Sequence, residues 1–239
     1  MKAISEGPFN RKVTIKGGVV MCNITGNIRR ATQDMDFDFI RYSLDEESIR
    51  RFVETLNCLS GIKIAITGNI EELSQHEYRG KRVYIEIRDE RGYTLHSKID
   101  LGVHTNFCIE QEEYCFDVCM DDSGASLLIN SREQMFTEKL RSLLKFGPLS
   151  TRYKDIYDMS YLCAKIDRNK LNECLRLYVY DDKTMREENI EDVRRRVYET
   201  FSNKLYCRNA HKNNKANWSG IGADDAFKAI EDFLNSIPV

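Results

Sequence analysis

Residues 13–40, VTIKGGVVMCNITGNIRRATQDMDFDFI, decide how the rest of the chain is read. Val13, Thr14 and Ile15 start a strand, Gly17 and Gly18 form a glycine pair, and a short apolar helix follows. A basic turn at Arg29 and Arg30 then leads to a second strand carrying Asp34, Asp36 and Asp38. Side chains alternate along a strand, so Asp34 and Asp36 are expected on one face. Two carboxylates so close repel unless a positive charge sits between them, and a divalent cation such as Mg²⁺ supplies it. Glycines at the start of a helix leave backbone N–H groups that can receive an anion such as a phosphate. A phosphate seat beside a metal seat is the skeleton of phosphoryl or nucleotidyl transfer.

The 239 residues suffice for one large domain or two small ones. With a net charge of −2, any nucleic-acid contact must come from a local basic patch. The first residues, MKAISEGPFNRKV, contain no apolar core of a signal peptide, and no apolar run approaches about 18 residues. No membrane span and a cytoplasmic location are therefore expected. The eight cysteines are scattered, as expected of reduced thiols in or near a core. His104, Cys108, Cys115 and Cys119 have a spacing worth testing for zinc. They lie in strand-like segments without a tight C-x2-C knuckle, so no zinc is expected.

Ser43-Leu44-Asp45-Glu46 has the spacing of a capping box. The helix it would open carries Ile49, Phe52, Val53, Leu56 and Leu59 and stops at Gly61. From Ile62 the period becomes two: Ile62, Ile64 and Ile66 alternate with Lys63, Ala65 and Thr67, as in a half-buried strand. Residues 82–88 (RVYIEIR) form another strand, 89–92 a turn, and 93–104 (YTLHSKIDLGVH) return antiparallel. The return strand holds Asp100 between Ile99 and Leu101. Either this acid is buried on a central strand and needs a partner, or it faces solvent; alternation alone does not choose. Short extended pieces over 116–129 surround an expected turn at Asp121-Asp122-Ser123-Gly124.

Beyond residue 131 the pattern is helical. Ser131-Arg132-Glu133-Gln134 resembles a second capping box. Met135, Phe136, Leu140, Leu143 and Leu144 form a stripe with Lys139 and Arg141 beside it, ended by Phe146-Gly147-Pro148. A helix opening near 150 sets Asp155 and Asp158 three residues apart on one face. Later helices are expected over about 168–180, 190–206 and 223–236. The expected domains are an α/β core over 1–130 and a helical region over 131–239 packed on it, with no Pro/Gly/Ser linker between. Residues 204–218 (KLYCRNAHKNNKANW) hold Lys204, Arg208, Lys212 and Lys215 without an acid, flanked by Tyr206 and Trp218. The run suits nucleic-acid backbone with base stacking, and also a polar loop between helices, which is the preferred reading.

Four ordered blocks carry a family resemblance: IKGG at 15–18, RRATQDMDFDF at 29–39, KIDLGV at 98–103, and EKLRSLL with STRYKDIYDM between 138 and 159. Over residues 10–165 the chain resembles the AbiEii/AbiGii family of nucleotidyltransferase-like toxins, also represented by the MenT toxins. That family belongs to the DNA polymerase β-like nucleotidyltransferase superfamily. The resemblance implies an α+β fold: a mixed sheet with flanking helices, followed by a C-terminal helical bundle. It implies Mg²⁺-dependent transfer of a nucleoside monophosphate from an NTP to a hydroxyl, with a two-metal site at Asp34, Asp36 and Asp100. Gly17, Gly18, Arg30, Lys139, Arg152 and Lys154 would meet the nucleotide, and Lys139, Asp155 and Asp158 would belong to the catalytic set. The implied acceptor is the tRNA 3′ end. The implied role is that of a type IV toxin–antitoxin or abortive-infection (phage defence) toxin with a cognate antitoxin. Two other readings stand beside it: an antibiotic-type small-molecule nucleotidyltransferase, and a catalytically silent RNA- or protein-binding member of the fold. Val19 follows Gly18 where the family often has Ser or Thr, which removes a hydroxyl from the phosphate seat. Asp38 matches no role and is read as structural.

Overall fold

Alternation of apolar and acidic residues along the central strands separates a core face from a charged face, and the rest of the N-terminal unit follows from that. The computed structural model describes residues 1–73, 80–118 and 121–238. The chain divides into two units, Met1–Asn130 and Ser131–Val239.

The first unit comprises α1 (Lys2–Glu6), β1 (Val13–Lys16), α2 (Gly18–Thr25), β2 (Met35–Ile40), α3 (Glu46–Thr55), β3 (Ile62–Ile66), β4 (Glu71–Leu73), β5 (Gly80–Asp89), β6 (Thr94–His104), β7 (Glu112–Val118) and β8 (Asp121–Ile129). Among the described residues these strands form one eight-stranded sheet in the order β3-β5-β6-β2-β1-β8-β7, with β4 paired to β5. It is mixed: β2–β6 and β1–β8 are parallel, and the other pairs are antiparallel. Cross-strand partners share a face, so Ile15, Phe37 and Leu101 lie in one row. All three are buried, as are Val13 and Phe39 in the next row. Phe52 of α3 closes over them with its ring 5.1 Å from that of Phe39, and Phe9 lies 5.1 Å from Phe52. The residues between, Asp36 and Asp38, necessarily project to the other face.

Several boundaries differ from expectation. The cap of α3 is Asp45, whose carboxylate accepts from the Ser48 N–H at 2.7 Å, while Ser43 accepts from Asp45 N–H. The acidic side chain, two residues nearer the helix, outcompetes the hydroxyl. Asp121 to Gly124 are not a turn but the start of β8, because pairing with β7 continues to Val118↔Asp121. Ile62 is 36% exposed because β3 lies at the edge of the strand order.

The second unit is helical: α4 (Arg132–Phe146), α5 (Tyr153–Cys163), α6 (Arg168–Leu175) running into a π turn (Arg176–Tyr180), α7 (Ile190–Phe201), α8 (Lys204–Lys212) and α9 (Ala223–Asn235). Ser131 caps α4 through Gln134 N–H, but the Gln134 side chain turns to Tyr178 and Glu138 and leaves the box half-made. Gly147, at φ 50°, ends α4. The helix expected over 190–206 is two helices. Asn203 interrupts it, its side chain accepting from the N–H groups of Leu205 and Tyr206 and so capping α8. The basic run is accordingly corrected from a loop to a helix over its first nine residues. Tyr206 and Trp218 are buried, so neither is a stacking platform for bases. Tyr206 instead lies among Tyr153, Phe201 and Phe227. The architecture is α+β, a mixed sheet with flanking helices followed by a helical C-terminal part.

Candidate active site

Strand register assembles the charged face. Lys16 of β1 lies opposite Asp36 of β2, Asp36 beside Asp100 of β6, and Asp100 opposite Arg82 of β5. These four side chains form one row across the middle of the sheet. Arg82 donates through Nε and Nη2 to the two oxygens of Asp100, each at 2.7 Å, a bidentate clamp. Lys16 reaches along the face to Asp38, at 2.6 Å from Oδ1 and 2.8 Å from Oδ2. Asp34, just ahead of β2, is paired with Lys98 at 2.8 Å. Asp36 is different. No hydrogen bond or ion pair among the described residues ends on its carboxylate. Burial pushes its pKa up to about 6; Lys16 opposes the rise, and Asp100, Asp34 and Asp38 add to it.

The backbone beside Asp36 is bare for a physical reason. Gly17 has φ 70° and ψ −137°, and a Cβ there would stand 2.5 Å from Asp36 Oδ2. A Cβ on Gly18 would meet the Thr32 hydroxyl at 2.6 Å. The glycine pair thus lets β1 turn directly into α2 against the acid, and Gly17 caps α2 with no side-chain hydrogen bond. Val19 is half-buried in the first turn of α2. Arg30 ends a 3₁₀ turn (Ile28–Arg30) and is buried.

Asp34, Asp36 and Asp100 therefore come to neighbouring positions along β2 and β6, but Lys98 and Arg82 already engage two of them. Among the described residues no three His, Cys, Asp or Glu side chains are arranged as a ready metal cage. The donor chemistry still fits a small hard cation. Mg²⁺ uses one or two carboxylates with water and phosphate oxygens, and Asp36 holds unbalanced negative charge against open backbone. Of the residues weighed for zinc, His104 is buried, Cys108 and Cys115 are exposed, and Cys119 lies outside the described residues.

The helical unit holds the remaining expected residues. Lys139 of α4 is buried and donates to Asp155 at 2.6 Å and Asp158 at 2.8 Å, both on α5. Arg152 reaches the other oxygen of Asp155 at 2.5 Å, and the Trp218 indole N–H donates to Asp158 at 2.8 Å. Burial alone would discharge Lys139, but the two carboxylates hold its pKa above the ordinary value. Burial would likewise raise Asp155, and Lys139 with Arg152 lower it instead. Lys139 is thus not a solvent-facing cation: its charge is already matched inside the fold. Lys154 is half-buried on α5.

Sequence reading missed Arg82, Lys98 and Lys16. A signal existed for Arg82, since a hairpin centred on residue 91 sets it opposite Asp100. Nothing in the sequence pointed from Trp218 to Asp158.

The sequence model of a family described as "Nucleotidyl transferase AbiEii toxin, Type IV TA system" matches residues 1–228. The chain belongs to this family. It is a nucleotidyltransferase of the AbiEii toxin kind, and a nucleoside triphosphate is its substrate class. A crystal structure titled as an antigenic nucleotidyltransferase-like protein from Paracoccidioides brasiliensis is similar over 83% of both chains, at 14% identity and a TM-score of 0.47. No curated protein sequence matches the AbiEii chain. Among the described residues, no helix is long and apolar enough to cross a membrane.

Two outcomes follow from the charges. Because the folded pKa of Asp36 lies above its unfolded value, ionising it opposes folding as pH rises from about 4 to about 6. Without divalent ions, Asp36→Asn should be more stable than wild type at pH 7.5 by up to about 3 kcal/mol, and equal to it at pH 4, by urea unfolding. In the helical unit, Lys139→Met should cost about 3–5 kcal/mol at pH 7, by the same measurement, because two buried carboxylates lose their shared cation.

Proposed function

We propose that this AbiEii-family protein transfers a nucleoside monophosphate from an NTP to the 3′-terminal hydroxyl of tRNA, with release of pyrophosphate. On this reading it is a toxin restrained by a cognate antitoxin, in a toxin–antitoxin or phage-defence setting. The observation that carries the chemical reading is Asp36: a half-buried carboxylate whose pKa burial pushes up to about 6, without an ion partner among the described residues, against the bare backbone of Gly17. Asp34, Asp36 and Asp100 would hold Mg²⁺, which supplies charge stabilisation for the triphosphate and the leaving pyrophosphate. Gly17 and Gly18 leave room for a phosphate beside the N-terminus of α2, where backbone N–H groups and the helix dipole favour an anion. The Val19 side chain offers no hydroxyl, so binding there rests on backbone donors. In the transfer, the acceptor oxygen forms a bond to the α-phosphorus as the bond to pyrophosphate breaks. The hydroxyl proton passes to Asp100 once its carboxylate is released from the Arg82 clamp.

Labelled NTPs with Mg²⁺ and either total tRNA or small hydroxylated acceptors test this. Label should enter tRNA, and Asp36→Ala should reduce transfer by on the order of 100-fold or more. Label in small acceptors alone would replace the tRNA reading. An Asp36→Ala protein that still labels tRNA at the wild-type rate would remove the assigned site.

A further inference from the structure

Helix α8 presents a row of cations that the fold itself does not use. Lys204, Arg208 and Lys212 are spaced by four residues and are all exposed, and Lys215 follows, also exposed. Successive cations are about 6 Å apart along the axis and drift only slightly around it. Tyr206 and Ala210, two residues from them, point the other way into the core. None of the four cations has a hydrogen bond or ion pair among the described residues. Asp224 is engaged by His211 Nε2 at 3.1 Å.

This arrangement works against helix stability. Like charges four residues apart repel, and Lys204 sits in the first turn, at the positive end of the helix dipole, with no acid beside it. The preceding helix does the opposite: on α7, Arg194 pairs with Glu191, Arg195 with Asp192 and Arg196 with Glu199. The helix dipole favours Lys212 in the last turn, but packing and helix formation give no reason for Lys204 and Arg208 ahead of it. A polyanion would.

We infer that the Lys204–Arg208–Lys212 face of α8 binds the sugar–phosphate backbone of the acceptor RNA. The inference rests on the reading that the acceptor is RNA. Charge complementarity favours a phosphate backbone, and Asn209, Asn213 and Asn214 supply neutral donors along the same segment. Because Tyr206 and Trp218 are buried, recognition here is by charge and independent of base sequence. An acidic protein surface is the competing occupant.

The test compares wild type, Lys204→Ala/Arg208→Ala/Lys212→Ala, and a charge-matched control, Arg50→Ala/Arg51→Ala/Lys63→Ala, whose exposed side chains lie in the other unit. Binding to total tRNA is measured from 50 to 300 mM salt, with poly-L-glutamate as the second probe and thermal unfolding as the check of folding. The α8 variant should fold as wild type, bind tRNA about 10-fold or more weakly at low salt, and show a log–log salt slope smaller by about 2. The control should bind as wild type. Unchanged tRNA affinity in the α8 variant, or an equal loss in the control, would overturn the inference. Loss of poly-L-glutamate binding alone would overturn it in favour of a protein partner. If tRNA binding depends on the row but no label enters tRNA, the row stands as an RNA site and the catalytic reading fails separately.

Discussion

In the middle of the charged face Asp34, Asp38 and Asp100 surround Asp36, and Lys98, Lys16 and Arg82 stand beside them. Each cation is drawn closest to a different acid, and the remainder falls on Asp36. A carboxylate in a half-buried row cannot be left ionised cheaply, so its pKa rises toward neutrality. Most of the local design can be derived from this imbalance. Gly17 has the one side chain that fits beside Asp36 at a positive φ, and Gly18 lets the chain turn into α2 against Thr32. On the opposite face Val13, Ile15, Phe37, Phe39, Ile99 and Leu101 of the central strands are apolar and buried, which fixes the register and so keeps the acids aligned.

The helical unit handles charge differently. Lys139, Arg152, Asp155 and Asp158 balance to zero, and Trp218 satisfies a further carboxylate oxygen. A phosphate that recruited Lys139 would have to displace a carboxylate or wait for one to be protonated. The cluster ties α4 to α5 and, through Trp218, to the segment before α9. Its first role in the fold is thus to join elements of that unit. Helix α8, by contrast, carries Lys204, Arg208 and Lys212 without a partner among the described residues.

Much of this was legible in the sequence because it depends on short-range patterning. The strand–Gly-Gly–helix–strand opening, the two-residue spacing of the acids, the Ser131 cap and the Gly147 stop all appear as read. What failed depended on competition between neighbours. Asp45 displaced Ser43 as cap, and Asn203 divided one long helix in two. The partners of the acids depended on register across three strands. Antiparallel pairing of β5 with β6 could be counted from its turn, but the parallel pairing of β2 with β6 could not. Lys139 was visible on the edge of an apolar stripe, yet periodicity does not say that α5 covers it with two carboxylates.

The central claim is that Asp36 carries unbalanced charge waiting for a cation. The most direct measurement is a carboxyl-carbon NMR titration of Asp36, first without divalent ions and then with Mg²⁺ and a non-hydrolysable NTP. The account expects a midpoint near 6 in the first case and a fall below about 4 in the second. A midpoint in the ordinary carboxylate range without metal, or one that Mg²⁺ and nucleotide leave unmoved, would contradict it.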